Sequence, residues 1–380
     1  MHNLETQFLL DPQICFLNHG SFGATPLPVF REYQRWQAEL ERQPVEFLGR
    51  RHDELMRNAR LALGRYLGTG ADHLVFTQNV TISVNIVARS LELGRGDEVL
   101  ASNHEYGACD RTWRFLAGER GFDYVNRPMD LPLRSRESLV DDFWRGVTPR
   151  TRLIFLSHIT SPTAIRLPVE DIIQQARTAG IFTLIDGAHA PGQVPLHLDD
   201  LGADFYGGNL HKWLCAPKGA GFLFARPDVQ HLLKPLVVSW GYEADNSTGS
   251  TFVDYFQWWG TRDIAAFLSV PAAIEFQERY EWPSIRTECH ALLAETLKDI
   301  QSVTGIPSFY PDDSWYVQMA SIPLPPSTDI ARVKSRLYDE FRVEVPLVDW
   351  NGHKLMRISV QGYNTTRDRD RLVEALAHLL

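Results

Sequence analysis

The chain alternates between short apolar runs and longer segments in which apolar residues recur every three or four positions. Runs rich in β-branched and aromatic residues and bounded by glycine or proline predict buried strands, here at residues 73–77, 97–102, 152–157, 181–185, 203–206 and 220–225. A 3.6-residue apolar spacing predicts helices at residues 30–42, 52–67, 81–93, 109–118, 169–180 and 263–280. Such alternation is typical of an α/β fold with a mostly parallel sheet and helices on both faces.

The pattern changes near residue 280. Beyond it we predict helices at residues 283–302 and 367–380 and strands at residues 315–322, 342–348 and 355–360. A further helix is predicted between the first two of these strands. Elements without strict alternation favour a smaller α+β domain. We therefore predict a large domain of residues 29–280 and a small C-terminal domain of residues 281–380, with residues 1–28 packing on the small domain.

Composition narrows the class of protein. The 380 residues are 44% hydrophobic and 22% charged, as in ordinary globular proteins. A net charge of −9 without a basic run argues against a nucleic-acid partner. The chain shows neither a signal peptide nor an apolar stretch of membrane-spanning length, so no membrane association is expected. Four scattered cysteines without metal-ligand spacing predict a reduced, cytoplasmic protein with no metal site.

Two polar residues that follow predicted strands suggest a specific chemistry. Asp186 ends the run at 181–185, and Lys212 follows the run at 203–206, at the edge where open α/β sheets bind ligands. A lysine can hold the aldehyde of pyridoxal phosphate as a Schiff base, and a buried carboxylate can keep the ring nitrogen protonated. Either residue alone is more often an ordinary buried aspartate or a solvated lysine. Lys218, in a Gly/Pro turn, is a competing amine.

Together the two motifs resemble a known family. DGAHAPG, which begins at Asp186, is followed 26 residues after that aspartate by Lys212 of GGNLHKW. This arrangement resembles the class V aminotransferases, and the segments NHGSFGATP, NHEYGA, SHITSPTAIRLP, HKWLCAPKG and WWGTRD are most similar to its isopenicillin N epimerase branch. The resemblance runs from about residue 16 to the C-terminus. It implies the aspartate-aminotransferase-like fold and pyridoxal 5'-phosphate as cofactor.

The turn at residues 77–81 joins a predicted strand to a predicted helix, whose first N–H groups and dipole favour an anion. The resemblance implies that the cofactor phosphate binds there to the backbone of Asn79 and Val80 and to the hydroxyl of Thr81. The alternative is a plain helix cap at Asn79 or Thr81. His211 matches a further phosphate contact in the family.

Around the cofactor ring, the resemblance assigns three more residues. Asp186 matches the salt bridge to the pyridinium nitrogen, His189 matches the contact to the phenolic oxygen, and Ser161 is expected beside that oxygen. By analogy with cysteine desulfurases, His104 matches a histidine that stacks on the ring. Its alternative is a strand-end histidine bonded to the backbone. Tyr106 could line the substrate side, and no role is defined for it.

Two residues further along the chain complete the predicted site. Thr261 follows an aromatic-rich segment, and in relatives the threonine of this turn reaches the phosphate of the neighbouring subunit. That implies a homodimer with shared active sites, whereas an aromatic core loop is the alternative. Arg357 matches the arginine that binds the substrate carboxylate, for which a planar guanidinium is suited. Arg342 or Arg262 could substitute for it.

The sequence indicates the cofactor more specifically than it indicates the reaction. The loop at residues 345–353 lacks the cysteine that cysteine desulfurases of the family carry shortly before the substrate arginine, so persulfide chemistry is not expected. Epimerisation, β-elimination of a sulfur group and transamination remain, and each begins with loss of the Cα proton to Lys212. We predict an isopenicillin N epimerase-like enzyme that acts on an α-amino acid or amino-acid conjugate, with a C–S lyase or an aminotransferase as alternatives. A non-catalytic binding protein of the same fold is a different class, which the intact site residues disfavour.

Overall fold

Twelve strands form in a computed structural model of the chain, which describes residues 4–380. In chain order they are β1 (Cys15–Phe16), β2 (Leu74–Thr77), β3 (Glu98–Ser102), β4 (Asp123–Arg127), β5 (Thr151–Ser157), β6 (Phe182–Gly187), β7 (Phe205–Asn209), β8 (Gly221–Ala225), β9 (Met319–Pro323), β10 (Val343–Glu344), β11 (Leu347–Trp350) and β12 (His353–Ser359). Seven of them make one sheet in the order β2-β8-β7-β6-β5-β3-β4. β8 runs antiparallel to both β2 and β7, and the other neighbouring pairs of this sheet are parallel, which confirms the mostly parallel sheet.

Helices cover both faces of this sheet and most of the second domain. They are α1 (His19–Phe22), α2 (Leu27–Arg42), α3 (Pro44–Arg50), α4 (His52–Leu67), α5 (Val80–Ser90), α6 (Gly107–Arg120), α7 (Arg136–Trp144), α8 (Val169–Ala179), α9 (Leu198–Leu201), α10 (Thr251–Gln257), α11 (Ala265–Leu268), α12 (Val270–Arg279), α13 (Trp282–Thr304), α14 (Ile330–Asp339) and α15 (Thr366–Leu379). Of the described helices, none is both long and apolar enough to cross a membrane.

The central strand β5 shows why helices are needed on both sides. Leu153 and Phe155 belong to one buried cluster, whereas Ile154 and Leu156 belong to another. Since successive side chains of a strand point to opposite faces, each face of the sheet carries its own apolar layer. One layer is covered by α5, α6 and α10, and the other packs against α4, α8 and the second domain.

The second domain is built around the antiparallel sheet β11-β12-β9, as the α+β prediction requires. The N-terminal strand β1 pairs in parallel with β10, and the Leu4 amide donates to the Gly362 carbonyl at 3.0 Å. The N-terminal segment therefore contacts the small domain over its described part, and residues 1–3 lie outside the described residues. The boundaries at residues 28 and 280 stay a prediction.

Two predicted elements were wrong in extent because each contains a proline. The single helix predicted at residues 263–280 is divided at Ser269 into α11 and α12, with Pro271 at the start of the second helix. A proline has no N–H to bond to the preceding turn, so it begins a helix instead of continuing one. The strand predicted at residues 342–348 is divided into β10 and β11 at Pro346 for the same reason. Strand β4 and helix α7 were not predicted.

Candidate active site

A cavity of about 300 Å³ lies at the edge of the sheet where β7, β6, β5 and β3 end. Parallel strands deliver their carboxyl ends to one edge, so residues far apart in sequence meet there. The cavity is lined by eight residues predicted from the sequence, which are Asn79, Val80, Thr81, Ser161, Asp186, His189, His211 and Lys212. Three other predicted residues, His104, Thr261 and Arg357, do not line it.

Lys212 is held in the cavity by a chain of hydrogen bonds. The indole N–H of Trp213 donates to Nδ1 of His189 at 3.2 Å, and Nε2 of His189 lies 3.2 Å from Nζ of Lys212. Because an indole nitrogen can only donate, Nδ1 of His189 is an acceptor, and a neutral imidazole then carries its proton on Nε2. His189 therefore offers a donor to the lysine, or to an oxygen placed beside it.

Burial favours the neutral form of both Lys212 and His189. It lowers the pKa of Lys212 to about 7, an effect to which the nearby Arg357 charge adds and which Asp186 opposes. Burial also lowers the pKa of His189 well below its ordinary value, and the charges of Lys212 and Arg357 act in the same direction. Near neutral pH a substantial fraction of Lys212 is therefore the free amine, which is the form that attacks a carbonyl.

Asp186 forms the floor of the cavity at the end of β6. Its Oδ1 accepts the Ala188 amide at 2.8 Å, and its Oδ2 accepts the Cys109 thiol at 3.6 Å. Burial raises the pKa of this carboxyl group, while the Ala188 amide and the Lys212 charge oppose the rise. No lysine or arginine of residues 4–380 forms an ion pair with it. A cationic ring nitrogen would supply the partner that such a buried carboxylate lacks.

Glu105 is a second buried carboxyl group near Asp186, and sequence reasoning missed it. The hydroxyl of Ser157 donates to its Oε2 at 2.7 Å, and the hydroxyl of Ser102 donates to its Oε1. Burial raises the pKa of Glu105 to about 8, with a smaller rise from Asp186 and an opposing effect of the two serines. Near neutral pH this group is therefore mainly the uncharged acid. Its position after the predicted strand β3 was the only available signal.

The phosphate site predicted at the start of α5 has the expected helix N-terminus with one difference. Asn79 caps the helix, since its side chain accepts the Ile82 amide at 3.1 Å. The Val80 amide donates to the side chain of Asn209 at 2.9 Å, so that amide is engaged within the protein and not directed at the cavity. Thr81, the next residue, lies on the cavity wall. The plain helix cap is therefore present at Asn79, and the phosphate site at the same turn stays a prediction.

His211 borders the same end of the cavity. Its Nδ1 donates to the Ala220 carbonyl at 3.0 Å, which leaves Nε2 for a ligand. Burial lowers the pKa of His211 to about 4, against the effect of that carbonyl contact. A bound phosphate would reverse this effect, because a nearby negative charge favours the protonated imidazole.

Arg357 on β12 enters from the small domain and is only 6% exposed. One terminal nitrogen donates to the carbonyl and hydroxyl oxygens of Ser161 at 2.7 and 3.1 Å, and the other donates to the Ser21 hydroxyl at 3.0 Å. Its Nε is buried without a hydrogen-bond partner, and no carboxylate of residues 4–380 forms an ion pair with it. Ser21 and Ser161 both line the cavity, so the guanidinium borders it.

The two alternative arginines lie elsewhere. Arg342 is exposed on the surface of the small domain. Arg262 stacks over the rings of Trp259 and Phe267 at 5.2 and 5.3 Å and donates to the Gln257 carbonyl at 3.0 Å. Among the described residues, no hydrogen bond joins either of them to a residue that lines the cavity, whereas Arg357 donates to Ser161 and Ser21 of the cavity wall.

The N-terminal segment contacts the backbone of the loop that carries Lys212, and the sequence did not predict this contact. His19 donates from Nε2 to the Lys212 carbonyl at 3.0 Å, and its Nδ1 accepts the Tyr363 hydroxyl at 3.0 Å. Gly23 has a φ of +70°, and a side chain there would place Cβ 2.0 Å from the His211 carbonyl oxygen. The segment NHGSFG therefore requires glycine for close approach to the lysine loop.

His104 is placed away from the cavity, contrary to its predicted position over the cofactor ring. Its Nε2 donates to the Met129 carbonyl at 2.8 Å and its Nδ1 accepts the Thr163 hydroxyl at 2.7 Å. Its ring contacts that of Trp350, with centroids 4.2 Å apart. The alternative of a backbone-bonded histidine fits this geometry, and Tyr106, two residues later, lines the cavity instead.

Two further candidates, Lys218 and Thr261, lie outside the cavity. Lys218 is exposed and does not line the cavity, in contrast to Lys212. Thr261 is exposed outside the cavity of its own chain. Within residues 4–380, no group of three or more histidine, cysteine or acidic side chains is placed to hold a metal ion.

These residues fit pyridoxal phosphate. The cavity combines an amine of lowered pKa, a buried carboxylate without a cation, a donor on His189 and a helix N-terminus. They would hold, in that order, the aldehyde, the ring nitrogen, the phenolic oxygen and the phosphate of the cofactor. The unpaired guanidinium of Arg357 is left over by this assignment, and it is suited to a carboxylate on the substrate.

Comparison with known proteins agrees with pyridoxal phosphate as the cofactor. A family model described as aminotransferase class-V matches residues 28–372. The chain is 37% identical to an isopenicillin N epimerase of Amycolatopsis lactamdurans, over 99% of this chain and 98% of that protein. It is 29% identical to putative L-cysteine desulfhydrase 1 of Oryza sativa subsp. japonica, over 96% of this chain and 83% of that protein.

A solved structure provides a separate test of the fold. A C-DES mutant with glycine covalently linked to its pyridoxal-phosphate cofactor superposes with a TM-score of 0.86, over 99% of each chain and at 20% identity. At this identity the likeness concerns the fold alone. It confirms the predicted architecture of a large, mostly parallel domain and a smaller second domain.

Proposed function

The chain belongs to the class-V aminotransferase family, and we propose that it inverts the configuration at Cα of a carboxylate-bearing α-amino acid or amino-acid conjugate. It is a pyridoxal-phosphate-dependent enzyme that acts on amino acids. The observation that carries the proposed substrate class is a pair of buried groups without an ion-pair partner in the described part of the chain: Asp186, which lines the cavity, and Arg357, which is bonded to Ser21 and Ser161 of the cavity wall. The carboxylate accommodates the cofactor ring, and the guanidinium remains for the α-carboxylate.

Bound in this cavity, the cofactor withdraws electrons from Cα and so makes the Cα proton acidic. Lys212 is the group that holds the aldehyde and, once released from it, the base that takes this proton. Its pKa of about 7 suits both tasks, because the amine is neither fully protonated nor strongly basic at neutral pH. His189 orients the amine through the 3.2 Å contact between Nε2 and Nζ.

Arg357 fixes the substrate. Its two terminal nitrogens are oriented by Ser161 and Ser21, so the guanidinium is positioned before a substrate binds. A carboxylate that replaces one of these contacts would be held by charge-assisted hydrogen bonds, which are stronger than neutral ones. The α-carboxylate is one bond from Cα, so this contact also places Cα in the cavity.

Epimerisation is supported by the 37% identity to an isopenicillin N epimerase over nearly the whole of both chains. The loop at residues 345–353 contains no cysteine, and the four cysteines of the chain are all buried elsewhere. A C–S lyase is the second candidate, because of the 29% identity to a putative L-cysteine desulfhydrase. A lyase would expel the β-substituent after the same proton is lost, and release a keto acid with ammonia.

We further propose a homodimer in the cytoplasm. Apolar side chains that a monomer would expose to water cluster shortly before Thr261, with exposed fractions of 45% to 81%, namely Val237, Val238, Trp240 and Tyr242. A contiguous exposed apolar patch favours an interface, and a second copy would bring Thr261 towards a neighbouring phosphate. Four free, buried cysteines suit a reducing compartment. Sedimentation of the dilute holoenzyme tests the dimer, and a fully active monomer would rule out a shared site.

Incubation of the holoenzyme in deuterium oxide with a panel of L- and D-α-amino acids tests the reaction. For its substrate, an epimerase yields both enantiomers labelled at Cα, and neither keto acid nor ammonia accumulates. Stoichiometric keto acid without a second amino acid would replace the proposal by the lyase. Turnover that depends on an added keto acid would replace it by an aminotransferase.

A further inference from the structure

Inversion at Cα requires that a proton leave one face of the carbon and another arrive at the opposite face. Lys212 is placed to act at one face. Resting on the proposed epimerisation, we propose that Tyr106 is the second acid–base residue, which exchanges a proton with Cα on the face opposite Lys212. The sequence placed Tyr106 near the substrate without a role, and the structure brings it to the cavity wall.

The sheet topology sets Tyr106 apart from Lys212. Lys212 follows β7, whereas Tyr106 follows β3 and precedes α6 directly. In the order β7-β6-β5-β3, two strands lie between them, and Asp186 ends the first of these. The two side chains therefore reach the cavity from opposite sides of Asp186, which is the anchor for the ring nitrogen. A planar cofactor ring held at Asp186 would have Lys212 towards one face and Tyr106 towards the other.

The other titratable groups on the cavity wall are already engaged. Cys109 donates its thiol to Asp186, and burial raises the pKa of that thiol well above its ordinary value. His189 is fixed between Trp213 and Lys212, and so acts on the lysine side. His211 is bound through Nδ1 to the Ala220 carbonyl, and its Nε2 lies at the end of the cavity proposed for the phosphate.

Tyr106 differs from these groups in its access to water. Its side chain is 46% exposed, so its hydroxyl can recover or release a proton to solvent between turnovers. Proton exchange with solvent is what a second acid–base residue needs, because each inversion leaves one group with an added proton and the other without one.

The neighbouring guanidinium provides a further link to Cα. Tyr106 and Arg357 are close enough to interact electrostatically: burial lowers the pKa of Arg357 to about 10, and a Tyr106 phenolate opposes this decrease. Tyr106 lines the same cavity as Ser21 and Ser161, which hold the Arg357 guanidinium, so a substrate whose α-carboxylate binds Arg357 has its Cα in the cavity that Tyr106 lines.

The proton balance requires no further reactant. In one direction the Cα–H bond breaks, Lys212 becomes an ammonium group, and the O–H bond of Tyr106 breaks as a new C–H bond forms on the other face. Solvent then returns a proton to the phenolate and takes one from the ammonium group. In the reverse direction the phenolate removes the proton and Lys212 supplies one, so the same pair serves both enantiomers.

Glycine is a direct probe, because its two α-hydrogens correspond to the two faces and no particular side chain is required. We expect the wild-type holoenzyme in deuterium oxide to exchange both hydrogens. We expect Tyr106→Phe to exchange one hydrogen at nearly the wild-type rate and the other at least about 100-fold more slowly. The product would then be singly deuterated glycine of one configuration, which NMR of a chiral derivative resolves. Glycine binding, followed by the change in visible absorption, should remain near that of the wild type.

Two control variants distinguish a role of Tyr106 from a general effect of the substitution. Tyr338→Phe removes a hydroxyl of similar exposure on α14, remote from the cavity, and should exchange both hydrogens. Tyr106→His supplies another acid–base group and should partly restore the slow exchange. If the Tyr106→Phe enzyme exchanges both α-hydrogens at equal rates, or exchanges neither, the role of Tyr106 is overturned while the epimerase proposal stands. A wild-type enzyme that exchanges only one hydrogen would overturn both.

Discussion

Three strand ends at the same edge of the sheet differ in how well the sequence identified the residue that lines the cavity. After β6 and β7, the residues singled out from the sequence, Asp186, His189 and Lys212, all line the cavity. After β3, the residue singled out was His104, yet it is buried against Trp350 and the cavity is lined by Tyr106. A position after a buried strand thus identifies the correct edge of the sheet, but it does not identify which residue of a turn faces the ligand.

The physical reason lies in what fixes each side chain. Asp186 is still within β6, where it pairs with Ser157, so the alternation of the strand determines its direction. His104 lies two residues beyond the end of β3, where no such alternation operates. Its direction is decided by Thr163 and the Met129 carbonyl, which lie 59 and 25 residues away in sequence. No local pattern contains that information.

The largest expected effect belongs to Asp186. Asp186→Asn removes the charge that balances a cationic ring nitrogen, so we expect α-hydrogen exchange to fall on the order of 100- to 1,000-fold while the cofactor stays attached. Glu105→Gln is the matched control. Glu105 has a pKa of about 8 and is mainly uncharged near neutral pH, so the neutral amide should change the rate far less. Equal losses in both variants would contradict the assignment of Asp186.

Arg357 should give the next largest effect. Hydrogen bonds to a charged group contribute about 1.5–3 kcal/mol, so Arg357→Ala should raise KM on the order of 10- to 100-fold for an α-amino acid. Arg357→Lys should recover only part of this, because a point charge cannot reproduce the two-pronged contact. Steady-state kinetics provides the measurement, with the exposed Arg342→Ala as control. An unchanged KM in Arg357→Ala would exclude the guanidinium as the carboxylate site.

The pH dependence of cofactor attachment should show a smaller, roughly tenfold effect. The neutral amine attacks the aldehyde, so attachment to the cofactor-free protein should quicken as pH rises. With a pKa of about 7 for Lys212, the rate should increase about tenfold from pH 6 to 8 and then level off. An ordinary lysine with a pKa near 10.4 would give about 100-fold over the same interval. Stopped-flow absorption distinguishes the two pH profiles. The steeper, 100-fold profile would contradict a lowered pKa for Lys212.

His104 should have the smallest effect on the reaction. His104→Gln breaks up two buried hydrogen bonds, so we expect the free energy of unfolding to fall by about 1–3 kcal/mol. The rate of α-hydrogen exchange should be nearly unchanged, since His104 does not line the cavity. Chemical unfolding and exchange measured on the same preparation separate the two quantities. A large loss of exchange with unaltered stability would restore the ring-stacking role predicted from the sequence.

Local pattern accounted for much of the fold. The helix predicted at residues 52–67 has the observed bounds, and the strand predicted at residues 152–157 differs from β5 by one residue. Periodicity failed at β4, where Asp123–Arg127 is mostly polar and lies at the edge of the sheet. In the site, motifs at strand ends found Asp186 and Lys212. The contact between His19 and the Lys212 carbonyl spans 193 residues, and only the tertiary fold reveals it.

The central feature of the site is the lysine that holds the cofactor. Reduction of the holoenzyme with borohydride fixes the cofactor to the amine that holds it, and peptide mapping then identifies that residue. We expect the label on Lys212, in the peptide that contains His211 and Trp213, and none on Lys218. A label on Lys218, or cofactor retained by Lys212→Ala with its absorption unchanged, would contradict the site described for this chain.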